Sequence, residues 1–364
     1  QQVPAQLPTD WLTLIDSKGQ RLAEGYLGEQ NKGIGWLLSW HGPINQSFFQ
    51  QLFEISREKR TSFEKDSLTT AYRLFNGEGD GIGGLIIDRY ADYAVFSWYN
   101  ETLYQKKAEL LTAFRTVYPD IIGAYEKIRF STKDLPESQF LYGEQAPEPL
   151  LVTENGVQFA TYLNEGLMTG IFLDQKEVRK KLRDQFSERR HVLNLFSYTG
   201  AFSVIAAENA NSTTSVDLAN RSRGLTEENF GLNGINPKSQ YIYVMDTFDF
   251  YNYAGRHGHQ YDTIVIDPPS FARNKKKTFS VQKDYNLLIE GALNILSPGG
   301  TLLLCTNSSA FSLKAFKNVI KKTLAQNNIV YEINEVMGLP KDFKTHPHYK
   351  PSKYLKAVFV TIKH

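Results

Sequence analysis

Acidic residues end several short apolar segments in the second half of the chain, where they could hold a small polar ligand. Asp217, Asp246 and Asp267 occupy such positions, and Gly200 follows a fourth apolar segment. A glycine turn lets the backbone approach a nucleoside closely, and an acid about 20 residues further on can bind ribose hydroxyls. Asp217 lies 17 positions after Gly200. The pattern predicts a nucleoside site, and the structural alternative for each acid is a cap on the following helix.

Three such acids in register are harder to explain as caps alone. If their segments are neighbouring parallel strands, the carboxyl ends of those strands face one ligand. Asp217 then suits a ribose diol, and Asp246 suits an adenine amino group, with Phe248 nearby as an apolar wall.

The segment Asp267-Pro268-Pro269-Ser270-Phe271 is the most specific one in the chain. Two prolines after an acid fix an extended turn, so the acid and the intervening carbonyl groups are held rigidly. Phe271 can stack on a nucleobase, and base stacking contributes about 1 to 3 kcal/mol. A basic loop follows at the mouth of the predicted site. Basic runs are usually solvated, but this position favours contact with nucleic-acid phosphates by Arg273, Lys275, Lys276 and Lys277.

Alternating strands and helices position these residues. We predict strands at 192–196, 213–217, 240–245, 262–267, 301–306, 329–336 and 355–361, and helices at 201–209, 219–233, 282–296 and 313–325. Such alternation predicts an α/β fold with a parallel, doubly wound sheet and helices on both faces. The last two strands lack a strong helix between them, so we expect one of them to run antiparallel.

The first part of the chain has a different pattern. Residues 11–40 read as short strands with a hairpin turn at Asp16-Ser17-Lys18-Gly19, and residues 46–64 read as an amphipathic helix. The glycine cluster from Gly77 to Gly84 could suggest a phosphate loop, but a strand follows it rather than a helix, so we favour a wide turn. Strands, a helix at 102–116 and a hairpin turn at 154–156 then indicate a small α+β domain.

Composition places limits on function. The 364 residues, 41% hydrophobic and 22% charged, are typical of a folded protein of two or three domains. We find no long apolar run and no signal peptide, and the single cysteine excludes an intrachain disulfide, so we expect a cytoplasmic location. The seven His form no metal-binding motif, and we predict no metal. A net charge of +2 requires any nucleic-acid contact to use a local basic surface.

Several segments resemble one enzyme family. Phe196-Ser197-Tyr198-Thr199-Gly200-Ala201-Phe202 resembles motif I of class I S-adenosylmethionine-dependent methyltransferases, and the Asp267 to Phe271 segment resembles motif IV of enzymes that methylate nucleic-acid bases. Residues 170–179 resemble the TG-x-F-L-DQ-x-x-x-R segment that lies across the cofactor in some RNA methyltransferases. With Ser-Pro-Gly-Gly at 297–300 and Tyr-Leu-Lys at 354–356, the chain resembles the bacterial large-subunit ribosomal RNA methyltransferases related to the 5-methylcytosine enzyme.

The resemblance implies a class I methyltransferase with a Rossmann-like seven-stranded sheet, S-adenosyl-L-methionine as cofactor, 23S ribosomal RNA as substrate and a possible homodimer. Residues 11–40 resemble a PUA-type RNA-binding module, in which Gly28 replaces the family's Asn. We therefore expect a PUA-like β module at 1–45, a linker helix at 46–70, a middle α+β domain at 71–165 and the methyltransferase domain at 166–364. The cofactor residues implied are Asp174, Gln175, Asn194, Phe196, Ser197, Gly200, Asp217, Asp246 and Asp267, with a helix-capping role as the alternative for Asp174.

One position departs from the cytosine enzymes. Cytosine C5 is a weak nucleophile, and its methylation requires a cysteine thiolate that first attacks C6. This chain has Asn307 where the cytosine enzymes have that cysteine. Its own cysteine, Cys305, lies two residues earlier in an apolar strand, where a free cysteine most often packs as a small hydrophobe. A guanine N7 already has a lone pair and needs only positioning. The expected catalytic residues are Asp267, Pro268, Pro269, Phe271 and Asn307, and the acceptor remains cytosine C5 or a ring nitrogen. The competing function is an RNA-binding ribosome-assembly factor that retains the cofactor pocket.

Overall fold

The computed structural model describes residues 10–30, 33–273 and 278–363, without the side chains of 29–30, 271–273 and 278–279. Its chain forms two compact units. The first contains the described residues up to Glu154 together with 161–169 and 341–349, and the second contains 155–160, 170–340 and the described residues from Lys350 onward. The grouping of 341–349 with the first unit has no counterpart in the predicted domain boundaries, which stay predictions.

The first unit begins with an antiparallel three-stranded sheet in the order β1-β2-β3. Asp16 fixes the predicted hairpin turn, because its carboxylate accepts the backbone N–H groups of Lys18 and Gln20 at 2.8 Å. Helix α1 follows, with Asn45 as its cap, and buries Phe49 and Phe53. The bounds are β1 Trp11–Ile15, β2 Arg21–Gln30, β3 Gly33–Ser39, α1 Gln46–Glu58 and α2 Thr61–Glu64.

A five-stranded sheet in the order β4-β5-β6-β7-β8 completes this unit, with β6 and β7 parallel and the other pairs antiparallel. The glycine cluster forms the predicted turn between β4 and β5. An added Cβ at Gly79 would lie 1.9 Å from the Lys344 carbonyl oxygen, so close packing explains that glycine. The bounds are β4 Ala71–Asn76, β5 Leu85–Tyr90, β6 Tyr93–Trp98, α3 Glu101–Tyr104, α4 Lys107–Val117, β7 Gly123–Ile128, β8 Ser138–Gly143 and β9 Leu150–Glu154.

A seven-stranded sheet in the order β13-β12-β11-β14-β17-β19-β18 forms the second unit. Strand β19 is antiparallel to both of its neighbours, as the weak connection in the sequence predicts. The bounds are β10 Val157–Thr161, α5 Lys176–Lys181, β11 His191–Leu195, α6 Ala201–Ala206, β12 Ser212–Asp217, α7 Arg221–Leu232, β13 Tyr241–Val244, α8 Thr247–Arg256, β14 Tyr261–Ile266, β15 Phe271–Arg273, β16 Thr278–Ser280, α9 Val281–Leu293, β17 Leu296–Thr306, α10 Leu313–Gln326, β18 Val330–Met337 and β19 Lys356–Lys363.

Successive residues of the central strands enter two different cores. Leu302 and Leu304 of β17 face the core that contains α9 and α10. Leu303 and Cys305 face the opposite core, which contains α5 and α6. This alternation is the reason why β17 reads as a continuous apolar run: a strand buried on both faces has no polar side to show.

Within the described ranges, no helix is long and apolar enough to cross a membrane.

Candidate functional site

A cavity of about 1160 Å³ opens at the carboxyl ends of the parallel strands in the second unit. Its size exceeds what a single small ligand needs, since ligand pockets commonly measure about 300 to 1,000 Å³. The segments that line it follow β11, β12, β13, β14 and β17, which is where an open α/β sheet binds ligands. Of the predicted residues, the cavity brings together Asp174, Gln175, Phe196, Ser197, Asp217, Asp246, Asp267, Pro268, Pro269 and Asn307.

The loop after β11 is held in a strained shape. Phe196 and Tyr198 have φ values of 59° and 53°, although neither is glycine. Such backbone costs of order 1 to 3 kcal/mol per residue and persists where surrounding contacts impose it, often at ligand sites. Asn229 donates to the Thr199 carbonyl at 3.0 Å, and the Thr199 hydroxyl donates to the Gly170 carbonyl at 2.7 Å. These contacts hold the loop in a fixed position.

Asp217 bridges two loops at the cavity. Its Oδ2 accepts the backbone N–H of Tyr198 at 2.8 Å, and its Oδ1 accepts the backbone N–H of Ala219 at 2.8 Å. Each carboxylate oxygen retains a lone pair for a ligand hydroxyl. Asp246 does cap α8, accepting the Phe248 N–H at 2.9 Å, and it lines the cavity as well. For Asp246 the capping and ligand-facing interpretations are therefore compatible.

Gly200 has a structural role that the sequence did not reveal. We expected this glycine to let the backbone approach a ligand, but it is absent from the cavity lining. Its φ is 75°, and an added Cβ would lie 2.5 Å from Cγ2 of Thr226 on α7. The glycine therefore allows α6 to begin in a left-handed conformation against α7.

Asp267 is the most perturbed acid in the cavity. Burial raises the pKa of its carboxyl group to about 7, the negative charge of Asp174 adds to the rise, and Arg179 and Gln175 oppose it. Gln175 donates from Nε2 to Oδ2 of Asp267 at 2.5 Å. Oε1 of Gln175 is buried with no hydrogen-bond partner, so it can accept from a ligand donor.

Two loops meet on the side of the cavity that holds Asp267 and Asn307, which we call the acceptor side. Ser270 donates its hydroxyl to Oδ1 of Asn307 at 2.8 Å, which joins the loop after β14 to the loop after β17. Lys356 donates from Nζ to the Ser308 carbonyl at 2.6 Å and is itself nearly buried. That burial lowers the pKa of Lys356 to about 8.

Cys305 lies away from this chemistry. It is fully buried in the core between the sheet and α5 and α6, and it does not line the cavity. Burial, reinforced by the negative charges of Asp267 and Asp174, raises the pKa of its thiol well above the usual value. The thiol therefore stays protonated, and a protonated thiol is not a nucleophile.

Some predicted residues lie elsewhere or outside the described part. Asn194 does not line the cavity, because it is buried in β11 and donates to the Ser203 hydroxyl at 3.0 Å. Asp174 lies in a short 3₁₀ turn, and Gln175 rather than Asp174 occupies the N-cap position of α5. Lys275, Lys276 and Lys277 lie outside the described residues, as do the side chains of Phe271 and Arg273, so their predicted RNA contacts stay predictions.

Two contributions to the cavity come from outside the individually predicted site residues. Arg179 lines it and donates to the Phe172 carbonyl at 2.7 Å. Helix α9 contributes one face through Asp284, Leu287 and Gly291, and its C-cap residue Asn294 continues that face. Their spacing of three, four and three residues is that of one helix face, so the predicted helix already contained this signal.

The sheet topology and the site at its carboxyl edge define the protein as a class I methyltransferase. The residues fit a nucleoside-type donor, because acidic side chains face the cavity, the aromatic rings of Phe172 and Tyr198 lie 5.4 Å apart in its lining, and Gln175 offers an unpaired acceptor. Among the described residues, no cluster of three or more metal-binding side chains occurs.

The chain belongs to the S-adenosylmethionine-dependent methyltransferase family, whose model matches residues 125–360, and its cofactor is S-adenosyl-L-methionine. A PUA-like domain model matches residues 2–40. These matches confirm the predicted fold class, the methyltransferase resemblance and the PUA-like N-terminal module. The cytoplasmic location and the homodimer stay predictions.

The similar proteins carry methyltransferase names. YwbD of Bacillus subtilis, described provisionally as a ribosomal RNA large subunit methyltransferase, is 44% identical over 96% of this chain and 89% of its own length. Ribosomal RNA large subunit methyltransferase I of Aeromonas salmonicida is 27% identical over 96% of this chain and 90% of its own. The crystal structure of SMU.776, complexed with SAH, is 46% identical with a TM-score of 0.91, covering 96% of this chain and 91% of that one. A structure from Streptococcus mutans is 44% identical with a TM-score of 0.90, covering 98% and 93%.

Proposed function

We propose that this protein methylates a base of 23S ribosomal RNA and that the acceptor atom is a ring nitrogen, guanine N7. The names of the similar proteins support the RNA, and the PUA-like module agrees with it. The choice of a nitrogen acceptor rests on the different surroundings of Cys305 on β17 and Asn307 in the loop that follows it. Cys305 is sealed in the core, and Asn307 lines the cavity.

The cofactor, when bound, supplies a methyl group activated by a positively charged sulfur. In this proposal Asp217 binds the ribose hydroxyls, and Asp246 and Phe248 bind the adenine. Oε1 of Gln175 accepts a hydrogen bond from the cofactor. Ser197 and Phe196 hold the shape of the loop beneath the cofactor. All of these residues line the cavity, and the backbone N–H groups on Asp217 keep its carboxylate oriented.

Asn307 supplies the base recognition. Its Oδ1 accepts the Ser270 hydroxyl, so its amide N–H groups remain to donate to the base. Guanine presents two acceptors, N7 and O6, on one edge, whereas adenine presents a donor beside its N7. A donating Asn307 therefore matches guanine O6 and places N7 beside it. Methylation at N7 removes no proton, so no general base is required.

Asp267 complements the charge that develops on the base. Methyl transfer to N7 leaves the guanine ring positively charged, and an ionised carboxylate nearby stabilises that charge. The pKa of Asp267 is raised to about 7 because burial disfavours its ionisation. A cation in the cavity reverses that balance, since an opposite charge within a few ångströms favours the carboxylate.

Nucleoside analysis of 23S rRNA, from cells with and without the gene, tests the proposal. We expect 7-methylguanosine to disappear in the deletion strain and to return with the wild-type protein and with Cys305→Ala. Asn307→Ala should fail to restore it while retaining cofactor binding. Loss of 5-methylcytidine instead, together with loss of activity in a folded Cys305→Ala variant, would show a cytosine acceptor. An unchanged nucleoside profile would favour the assembly factor.

A further inference from the structure

Helix α10 carries charge of one sign. Its sequence, LKAFKNVIKKTLAQ, contains four lysines and no acidic residue. Helices α1, α4, α7 and α9 of the described chain each mix basic and acidic residues. The whole chain has 41 basic and 39 acidic residues, so interspersed charges are the ordinary expectation for its surface. The composition of α10 departs from that expectation.

The lysines lie on the side of α10 that does not pack. Phe316, Ile320 and Leu324 are buried against the second unit. Lys314, Lys317 and Lys321 repeat at i, i+3 and i+7, which places them along one side of a helix, and Lys322 lies beside them. All are exposed except Lys317, which is half-buried. None of the four forms an ion pair with a described carboxylate, so the face carries four uncompensated charges.

The position of α10 connects this face to the cavity. The helix begins at Leu313, capped by Ser312, only a short loop after Asn307 at the cavity. Fourteen residues at about 1.5 Å each give a helix about 21 Å long that starts at the cavity edge of the sheet. The lysine face therefore extends from the acceptor side of the cavity along the surface of the second unit.

We propose that the α10 lysine face binds the phosphates of the RNA segment that flanks the acceptor base. The inference rests on the proposed function, because only an RNA acceptor brings phosphates to this edge. Lysines act as point charges that hold a phosphate backbone without reading bases, so the face positions the strand and the cavity selects the base. An acidic protein surface could also bind these lysines, but it would not explain why the lysine face begins beside a cavity that accepts a base.

The salt dependence of RNA binding tests the proposal. The variant Lys314→Ala/Lys317→Ala/Lys321→Ala/Lys322→Ala keeps helix propensity, since alanine is the best helix former. Log affinity falls as log salt rises, and each lost contact between a lysine and a single-strand phosphate makes this slope shallower by roughly 0.7. We therefore expect the slope for deproteinised 23S rRNA to become shallower by roughly 2 to 3 in the quadruple variant. Binding of S-adenosylmethionine and the melting temperature should match wild type.

Two controls separate charge from structure. Lysine to arginine at the same four positions should keep the wild-type slope. The variant Lys238→Ala/Arg256→Ala removes two exposed charges that lie before β13 and at the end of α8, away from the carboxyl edge, and should also keep it. A wild-type slope in the quadruple alanine variant overturns the proposal. Normal binding to deproteinised rRNA with lost binding to ribosomal particles overturns it in favour of an acidic protein partner. Failure of the wild-type protein to bind or methylate any rRNA instead refutes the proposed function.

Discussion

Asp267 should make the protein less stable as the pH rises. Its pKa is raised to about 7 in the fold, from an ordinary value near 4, so the folded state holds a proton that the unfolded chain has released between those values. The contribution of this residue to stability is therefore lost as pH increases from about 4 to about 7, and it stays lost above pH 7.

The variant Asp267→Asn tests this cost. Asparagine cannot ionise and can still accept a hydrogen bond from Gln175. We therefore expect the free energy of unfolding at pH 8 to rise by roughly 1 to 3 kcal/mol in the variant. This is less than the full pKa shift of Asp267 implies, because the cavity admits water. Urea titrations at pH 5 and pH 8 should show a smaller loss of stability in the variant than in wild type. Methyl transfer should fall, since the charge that stabilises the product is gone. Equal pH dependence in the two proteins would contradict the assignment.

Gly200 should be intolerant of a side chain. Gly200→Ala combines a φ of 75° with a Cβ 2.5 Å from Thr226, and we expect a loss of roughly 1 to 3 kcal/mol in the free energy of unfolding. The matched control is Gly224→Ala on α7, where no atom lies within 4 Å and the helix gains from alanine. Adding Thr226→Ser, which removes the clashing methyl group, should recover part of the loss. Thermal denaturation of the three variants measures both effects.

At the scale of elements, Tyr285 of α9 holds the two strands that carry the acceptor side. Its buried hydroxyl lies 3.0 Å from the Ile266 carbonyl and 2.9 Å from the Cys305 carbonyl, directly before Asp267 and two residues before Asn307. Because both catalytic candidates leave these strand ends, the spacing of the ends sets the spacing of the side chains.

Tyr285→Phe keeps the ring packed against Phe316 and removes only the hydroxyl. We expect a stability loss of about 1 to 3 kcal/mol from the under-satisfied carbonyls, and a several-fold lower kcat with little change in the KM for the cofactor. Tyr251→Phe is the control, since its hydroxyl donates to the Leu288 carbonyl at 2.9 Å and touches neither strand end. It should lose stability but keep kcat. Equal losses of kcat in the two variants would mean that Tyr285 has no positioning role.

Most of the strand and helix pattern could be predicted because both signals are local, but the predicted helices omit α8, which spans Thr247–Arg256. The apolar run that ends at Asp217 and the run that ends at Asp267 gave the strand ends to within a residue, and the missing helix before β19 gave its direction. Contacts between distant segments left no such signal. The Ser270 to Asn307 hydrogen bond joins residues 37 positions apart, and the fit of Gly200 against Thr226 depends on how α6 packs on α7. Asn194 failed to reach the cavity because alternation along β11 points it into the core.

At the scale of the whole molecule, the chain leaves and re-enters each unit several times. The segment 341–349 comes from between β18 and β19, and it belongs to the first unit. There Arg60, fully buried, pairs with Asp80 at 2.5 Å and donates to the Asp342 carbonyl at 2.6 Å. A buried guanidinium requires such partners, because an unpaired charge in a core is strongly unfavourable. Residues near the carboxyl end of the chain thus complete the core of the amino-terminal unit.

Asp342→Ala should therefore loosen elements that lie more than 260 residues earlier in the sequence. The side chain accepts the backbone N–H of Arg73 in β4 at 2.9 Å, although the two residues are 269 positions apart in sequence, and its removal leaves a buried donor unpaired. We expect a loss of about 1 to 3 kcal/mol and faster amide hydrogen exchange in β4. Asp92→Ala, whose side chain is 66% exposed in the same unit, should stay within about 0.5 kcal/mol of wild type. If amide hydrogen exchange in β4 is unchanged in Asp342→Ala, segment 341–349 packs against the first unit without stabilising its core. If it rises as expected, truncation before residue 341 removes part of the first unit's core, and the two units cannot be separated by a single cut.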